Sequence, residues 1–175
     1  NHFGGHSYTI DIKISEKVIP VDVGFIVFNH KTYPNLIDFF KENNVDIEKS
    51  NMSFSVKVIN SNIEYCGKGL RGIFSNKLNF FNLKFIKMFF EIIYFYNKSS
   101  KLTSVDDNTT LGEYLKKEKL SNYFKDYHII PMVAAIWSMP PYEAEQMPLK
   151  FFIKFFQNHG LFRIRNRPQW YTVAN

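Results

Sequence analysis

Gly4-Gly5-His6-Ser7-Tyr8-Thr9-Ile10-Asp11-Ile12-Lys13-Ile14, followed after a short turn by Val18-Ile19-Pro20-Val21-Asp22-Val23-Gly24-Phe25-Ile26-Val27-Phe28-Asn29, is the stretch whose reading decides the fold. Two adjacent glycines leave the backbone bare, so a bulky or charged group can approach it closely. A phosphate is one such group, because unshielded N–H groups can point at it. From Ser7 the pattern has period two, with Tyr8, Ile10, Ile12 and Ile14 on one face and Thr9, Asp11, Lys13 and Ser15 on the other, which predicts a half-buried strand. Ser15-Glu16-Lys17 turns the chain into a second strand, and Pro20 requires an edge or a free N–H side there. Phe25-Ile26-Val27-Phe28 is apolar on both faces and predicts a buried strand ending at polar Asn29. A bare turn, a hairpin and a buried strand together predict the floor of a ligand site.

The 175 residues are enough for a real core, and 45% hydrophobic content argues against disorder. The formal charge of +6 comes from scattered lysines, which fits a solvated surface better than a nucleic-acid interface, so no nucleic-acid partner is expected. Cys66 is the single cysteine, so no intrachain disulfide can form and a reducing, cytoplasmic setting is expected, with membrane association as the variant. No signal peptide opens the chain and no apolar run would span a bilayer. The start at Asn1 without methionine suggests a piece of a longer polypeptide.

Further along, Pro34 to Glu42 predicts a helix with Leu36, Ile37, Phe39 and Phe40 on its apolar face. Met52 to Val58 alternates as a strand, and Ile63-Glu64-Tyr65-Cys66 returns as its hairpin partner. Gly67-Lys68-Gly69-Leu70-Arg71-Gly72 matches G-x-G-x-x-G, but a hairpin strand precedes it and no parallel strand follows, so it reads as a decoy. Phe80 to Tyr96 predicts a long helix, with Phe81, Phe85, Met88, Phe89, Ile92 and Phe95 inward and Lys84, Lys87 and Glu91 outward. Thr110 and Glu113 form a capping box, and Ser121 caps a short helix holding Tyr123, Phe124 and Tyr127. Small Ala134 and Ala135 allow close packing, by a helix or by a flat ligand. Pro148 opens a last helix with Phe151, Phe152, Phe155 and Phe156 inward, closed by His159-Gly160. Arg163, Arg165 and Arg167 alternate with Phe162 and Ile164 as an extended exit.

The five histidines are dispersed, no spacing of His, Cys, Asp and Glu suggests a metal site, and Cys66 has no adjacent base. Asp106-Asp107 reads as a solvated loop pair. No acid/base constellation stands out, and no catalytic residue is assigned.

The ordered set Gly4-Gly5-His6, Val21 to Asn29, Thr32-Tyr33-Pro34-Asn35-Leu36, Met52 to Val56, Thr110-Leu111-Gly112-Glu113, Pro131 to Ser138, Phe155 to Gly160 and Arg167-Pro168-Gln169-Trp170 resembles the flavin-containing amine oxidase superfamily. The nearest likeness is to the bacterial branch of predicted NAD/FAD-binding, amine-oxidase-like proteins. Each match is weak alone, but together they run through nearly the whole chain. Such proteins open with a strand, a G-x-G-x-x-G turn, a helix and an acidic residue for the FAD ribose, none of which has a counterpart here. The resemblance is therefore to an internal segment lacking the N-terminal Rossmann-type FAD unit.

The fold expected is α+β, with small antiparallel sheet elements carrying a mainly helical substrate-binding domain. Residues 1–32 would form an edge of the FAD region, 33–162 the substrate-binding region with a hairpin at 52–66, and 163–175 a return strand. The resemblance implies FAD as cofactor, with Gly4, Gly5, His6, Asp22, Gly24 and Phe25 near it and Asn29, Trp137 and Trp170 near the substrate. Core packing is an equally natural role for the two tryptophans. The activity implied for the intact protein is oxidation of a C–H bond by hydride transfer to FAD, the substrate being an amine or, from the Phe-rich interior, an apolar or lipid-like molecule. Its expected partners are that small molecule and the FAD-binding segments of the same polypeptide, with self-association of the segment when alone. The alternative is a non-enzymatic membrane-surface or partner-binding domain built on the Phe80–Tyr96 and Pro148–Asn158 helices.

Overall fold

The computed structural model describes residues 4–59, 61–164 and 166–174. The chain is α+β, and among the described residues the three sheets are two-stranded and antiparallel. It divides into two compact units, Asn1–Met52 with Pro168–Asn175, and Ser53–Arg167. The compact units therefore part at 52/53 and 167/168. The reason is backbone pairing, which ties the region after residue 32 to the last residues of the chain.

In the first unit β1 (Thr9–Ile14) pairs with β2 (Lys17–Asp22), Thr9 opposite Asp22 and Ile14 opposite Lys17. Pro20 faces Asp11 in a ribbon whose strands are both edges, so its missing N–H costs no further ladder bond. The predicted half-buried face is largely open: Tyr8, Ile12 and Ile14 are exposed and only Ile10 is half-buried, and on β2 Val18 and Ile19 are exposed as well. A two-stranded ribbon has no second layer of its own to cover either face. The buried strand predicted at 25–28 also fails, because Phe25 and Ile26 are exposed and only Phe28 is sealed. Phe28 instead exchanges two backbone hydrogen bonds with Tyr171, at 3.0 and 2.8 Å. α1 (Pro34–Glu42) starts with proline in its first turn and buries Ile37, while Phe39 points outward. β3 (Ile47–Ser50), which the alternation did not predict, pairs with the chain terminus.

The second unit begins with the hairpin of β4 (Ser55–Lys57) and β5 (Glu64–Cys66). α2 (Gly69–Ile73) and a 3₁₀ turn (Lys77–Phe81) lead into α3 (Leu83–Ser99). Asn82 breaks the single helix expected from Phe80, capping α3 with its own side chain, so Phe81 is exposed rather than inward. Phe85, Met88, Ile92 and Phe95 are buried as the spacing predicts. Glu91 is not solvated: its carboxylate accepts from the Ser121 N–H at 3.0 Å and the Ser121 hydroxyl at 2.5 Å.

The capping box opens α4 (Leu111–Lys117) and Ser121 caps α5 (Asn122–Phe124), both as expected. A π-helical turn (Lys125–Ile129) follows, then α6 (Ile130–Trp137), α7 (Pro141–Gln146) and α8 (Leu149–Asn158). Ala135 lies exposed on α6 instead of in a helix contact. On α8, Phe152, Ile153 and Phe156 are buried but Phe151 is half exposed. Gly160, at φ +66°, ends α8 as predicted. The core gathers Phe95, Phe124, Phe152, Phe156 and Phe162 within one aromatic cluster. The final strand, β6 (Trp170–Val173), returns to the first unit, where Ile47 faces Val173 and Ser50 faces Trp170. It starts beyond the arginine stretch, of which Arg165 lies outside the described residues.

Candidate functional site

Two clusters of polar groups bear on the candidate site. The first is the root of the β1–β2 hairpin. Gly4 and Gly5 both have positive φ, +99° and +58°, and the Ser7 N–H closes their turn onto the Gly4 carbonyl at 2.9 Å. The ladder then continues beyond β2: the Val23 N–H donates to Tyr8 O at 2.9 Å and the Phe25 N–H to His6 O at 2.7 Å. Five of the predicted cofactor residues, Gly4, Gly5, His6, Gly24 and Phe25, therefore meet at one end of the ribbon. Asp22 is the sixth, and it accepts a 2.6 Å hydrogen bond from the Thr9 hydroxyl across the two strands.

The glycines there differ in what they are for. A Cβ on Gly24 would lie 1.9 Å from His6 O, so its lack of a side chain serves chain packing. Among the described residues, a Cβ on Gly5 would meet nothing within 4 Å, so its backbone is open on that side. Gly5 fits the close approach of a phosphate, whereas Gly24 and Asp22 are accounted for by the hairpin. The half-open Phe25 ring meets Tyr33 edge-on at 5.5 Å.

Asn29 is fully buried. Its Oδ1 accepts from the Lys31 and Thr32 N–H groups at 3.0 and 2.9 Å, turning the chain into α1. Its Nδ2 is buried and makes no hydrogen bond. Trp170 is half-buried on β6, in the same unit. Trp137 belongs to the second unit, where its ring packs on Phe151, Phe155 and Phe156 at 5.6, 4.6 and 6.4 Å. The expected substrate trio is thus divided between units, and Trp137 performs ordinary helix–helix packing.

The second place went unseen in the sequence. His128 is buried in the π-helical turn, with Tyr65 Oη 2.9 Å from Nδ1 and Tyr96 Oη 3.0 Å from Nε2. Tyr65 also donates to the Tyr127 carbonyl at 2.7 Å. A hydroxyl has one proton, so Tyr65 spends its proton on that carbonyl and must accept from Nδ1–H. Nε2 then holds the lone pair and accepts from Tyr96. This assigns a neutral imidazole, protonated on Nδ1. Burial pushes its pKa down to about 3, with the positive charge of Arg167 adding to the effect. Burial also raises the pKa of both tyrosines. Both ring nitrogens are engaged, so this histidine works as a structural joint and not as an open base.

Pro131 explains the turn. It stands four residues after Tyr127, where an α-helix would supply the N–H for the Tyr127 carbonyl. Proline has no N–H, and its ring crowds that carbonyl. The helix widens to a π turn and the Tyr65 hydroxyl replaces the missing donor. The signal lay in the proline: a helical pattern running through Pro131 leaves one carbonyl in need of a donor.

The last glycine of the G-x-G-x-x-G stretch has a local explanation too. A Cβ on Gly72 would lie 2.5 Å from Cys66 O, so that glycine lets α2 fold against β5. Among the described residues, no group of His, Cys, Asp and Glu could hold a metal ion. None of their helices is long and apolar enough to cross a membrane. No protein-family model matches the chain, and no curated protein matches it in sequence.

Proposed function

We propose that this chain is part of an FAD-dependent, amine-oxidase-like oxidoreductase, contributing one edge of the flavin site and the substrate-binding region. The observation that carries the reading is the open, left-handed backbone of Gly5, held beside His6 and Phe25 at the hairpin root. It supports a pyrophosphate-facing turn at the place the family resemblance assigns to one. Gly4, Gly5 and His6 would hold the dinucleotide and Phe25 would flank it. FAD, when bound, supplies the hydride acceptor. The chain's own residues bind and orient the substrate, which is an amine or an apolar molecule.

A few backbone hydrogen bonds contribute about 0.5–1.5 kcal/mol each, too little to immobilise a dinucleotide alone. This segment by itself is therefore expected not to bind FAD at micromolar concentration, while the intact polypeptide should purify yellow. Titration calorimetry with FAD on both tests this. A colourless intact polypeptide that takes up no FAD would overturn the reading. Gly5→Val should abolish binding by the intact protein, because it fills the open face and strains a positive φ.

A further inference from the structure

Residues 76–83 of the second unit are amphipathic in the reverse of the usual sense. A 3₁₀ turn has a period of three, which puts Asn76, Asn79 and Asn82 on one face. That polar face points into the protein. Asn79 is buried, and its amide donates to Glu64 O at 3.0 Å and Ile73 O at 3.2 Å. Asn76 accepts from the Leu78 N–H and donates to Asn62 O at 2.7 Å. Asn82 caps α3 and donates to the Tyr123 hydroxyl at 3.1 Å. With the asparagines locked inward, the apolar side chains are turned out. Phe81 and Leu83 are 85% and 84% exposed, Leu78 and Phe80 more than half.

The patch extends beyond the turn. Phe80 stacks on Phe74 at 4.2 Å, Phe74 meets Phe89 at 5.7 Å and Phe89 meets Phe90 at 5.6 Å, so one aromatic row links the turn to α3. Leu70 on α2 is also exposed. Between Tyr65 and Phe90 the chain carries Lys68, Arg71, Lys77, Lys84 and Lys87 and no carboxylate, and all five cations are exposed. Among the described residues only Lys87 of these has an ion-pair partner, Glu91 at 3.8 Å.

We infer that this turn docks the protein on an anionic membrane surface, Leu78, Phe81 and Leu83 entering the acyl boundary while the surrounding cations meet lipid phosphates. An interfacial anchor needs apolar tips amid unpaired cations, with the backbone satisfied from within. The asparagine lock supplies that backbone. A nucleic-acid site would line a groove with several aromatic faces, whereas here Phe80 has one face on Phe74 and two of the most exposed tips, Leu78 and Leu83, offer nothing to a base. The inference does not depend on flavin binding.

Co-sedimentation of the full chain with vesicles of phosphatidylcholine, alone or mixed with phosphatidylglycerol, tests it. The chain should partition onto the phosphatidylglycerol vesicles in preference to the neutral ones, and less so as salt rises. Lys77→Ala and Lys84→Ala should each lower that partitioning about fivefold. Phe81→Asp with Leu83→Asp should abolish it without shifting the thermal melt, since both side chains are exposed. Equal binding to both vesicles, no binding, or an unaffected aspartate variant would overturn the assignment. So would tight binding of a single-stranded oligonucleotide in place of vesicles. A dimer that the aspartate variant dissolves, with no vesicle binding, would give the face to a second copy instead.

Discussion

The β1–β2 hairpin and the α3–α8 core are built from similarly apolar sequence and end in opposite states. In the hairpin Ile12, Ile14, Val18 and Ile19 stay exposed; in the core Phe85, Phe95, Phe152 and Phe156 are almost wholly buried. Alternation of apolar residues reports that a strand can bury a face, not that something lies there to bury it. A helix with a wide apolar arc, packed among others, brings its own cover. Hydrophobicity along the chain is thus a reliable guide to burial only where several elements converge.

The sharpest way to break that contrast is Phe95→Ala. Its ring meets Tyr114, Phe124, Phe152 and Phe162 between 5.4 and 6.2 Å, so truncation should cost about 3–5 kcal/mol in urea unfolding. Trp170→Phe would leave Trp137 as the only tryptophan and so report on the second unit alone. A loss under about 1 kcal/mol would mean that the core is not sealed.

The second test uses pH. The His128 pKa lies near 3 in the folded chain, below the ordinary value of 6.5, so the unfolded state binds the extra proton. Stability from this group is complete above pH 6.5 and declines as the pH falls below it. Between pH 7 and 5, where carboxylates remain charged, the loss should be about 2 kcal/mol, and His128→Gln should remove that part of the slope. An identical pH profile in the variant would show that His128 is not held neutral.

Smaller effects sharpen the comparison further. Ser121→Ala removes a helix cap and one partner of Glu91, and should cost about 1–2 kcal/mol. Ile14→Thr and Val18→Thr should each change stability by less than about 0.5 kcal/mol, since both side chains are exposed. A larger loss at either would mean that the hairpin faces are covered in solution.

What could be read in advance follows the range of the interaction. The Thr110–Glu113 box, the Ser121 cap, the Pro34 start and the Gly160 stop all act within a few residues, and each stands where the sequence puts it. The break at Asn82 is masked by the Phe-rich pattern that runs straight through it, although an asparagine three residues before Phe85 is a cap in waiting. Glu91 looks solvated in the pattern because its partner lies thirty residues away. At the candidate flavin edge, the glycine pair was legible as bare backbone, but the distinct duty of Gly24 depends on His6 coming alongside, which only pairing decides. The Tyr65–His128–Tyr96 network joins three distant segments and left no trace in spacing.

The loan of the Tyr65 hydroxyl to the Tyr127 carbonyl has a consequence for motion. The helical run through Pro131 is completed by a residue sixty-two positions before Tyr127, in β5. Neither partner can open alone without stranding a buried polar group. Amides of β4–β5 and of the helix around His128 should therefore exchange with solvent as one cooperative block, at a common free energy, rather than as two independently fraying elements.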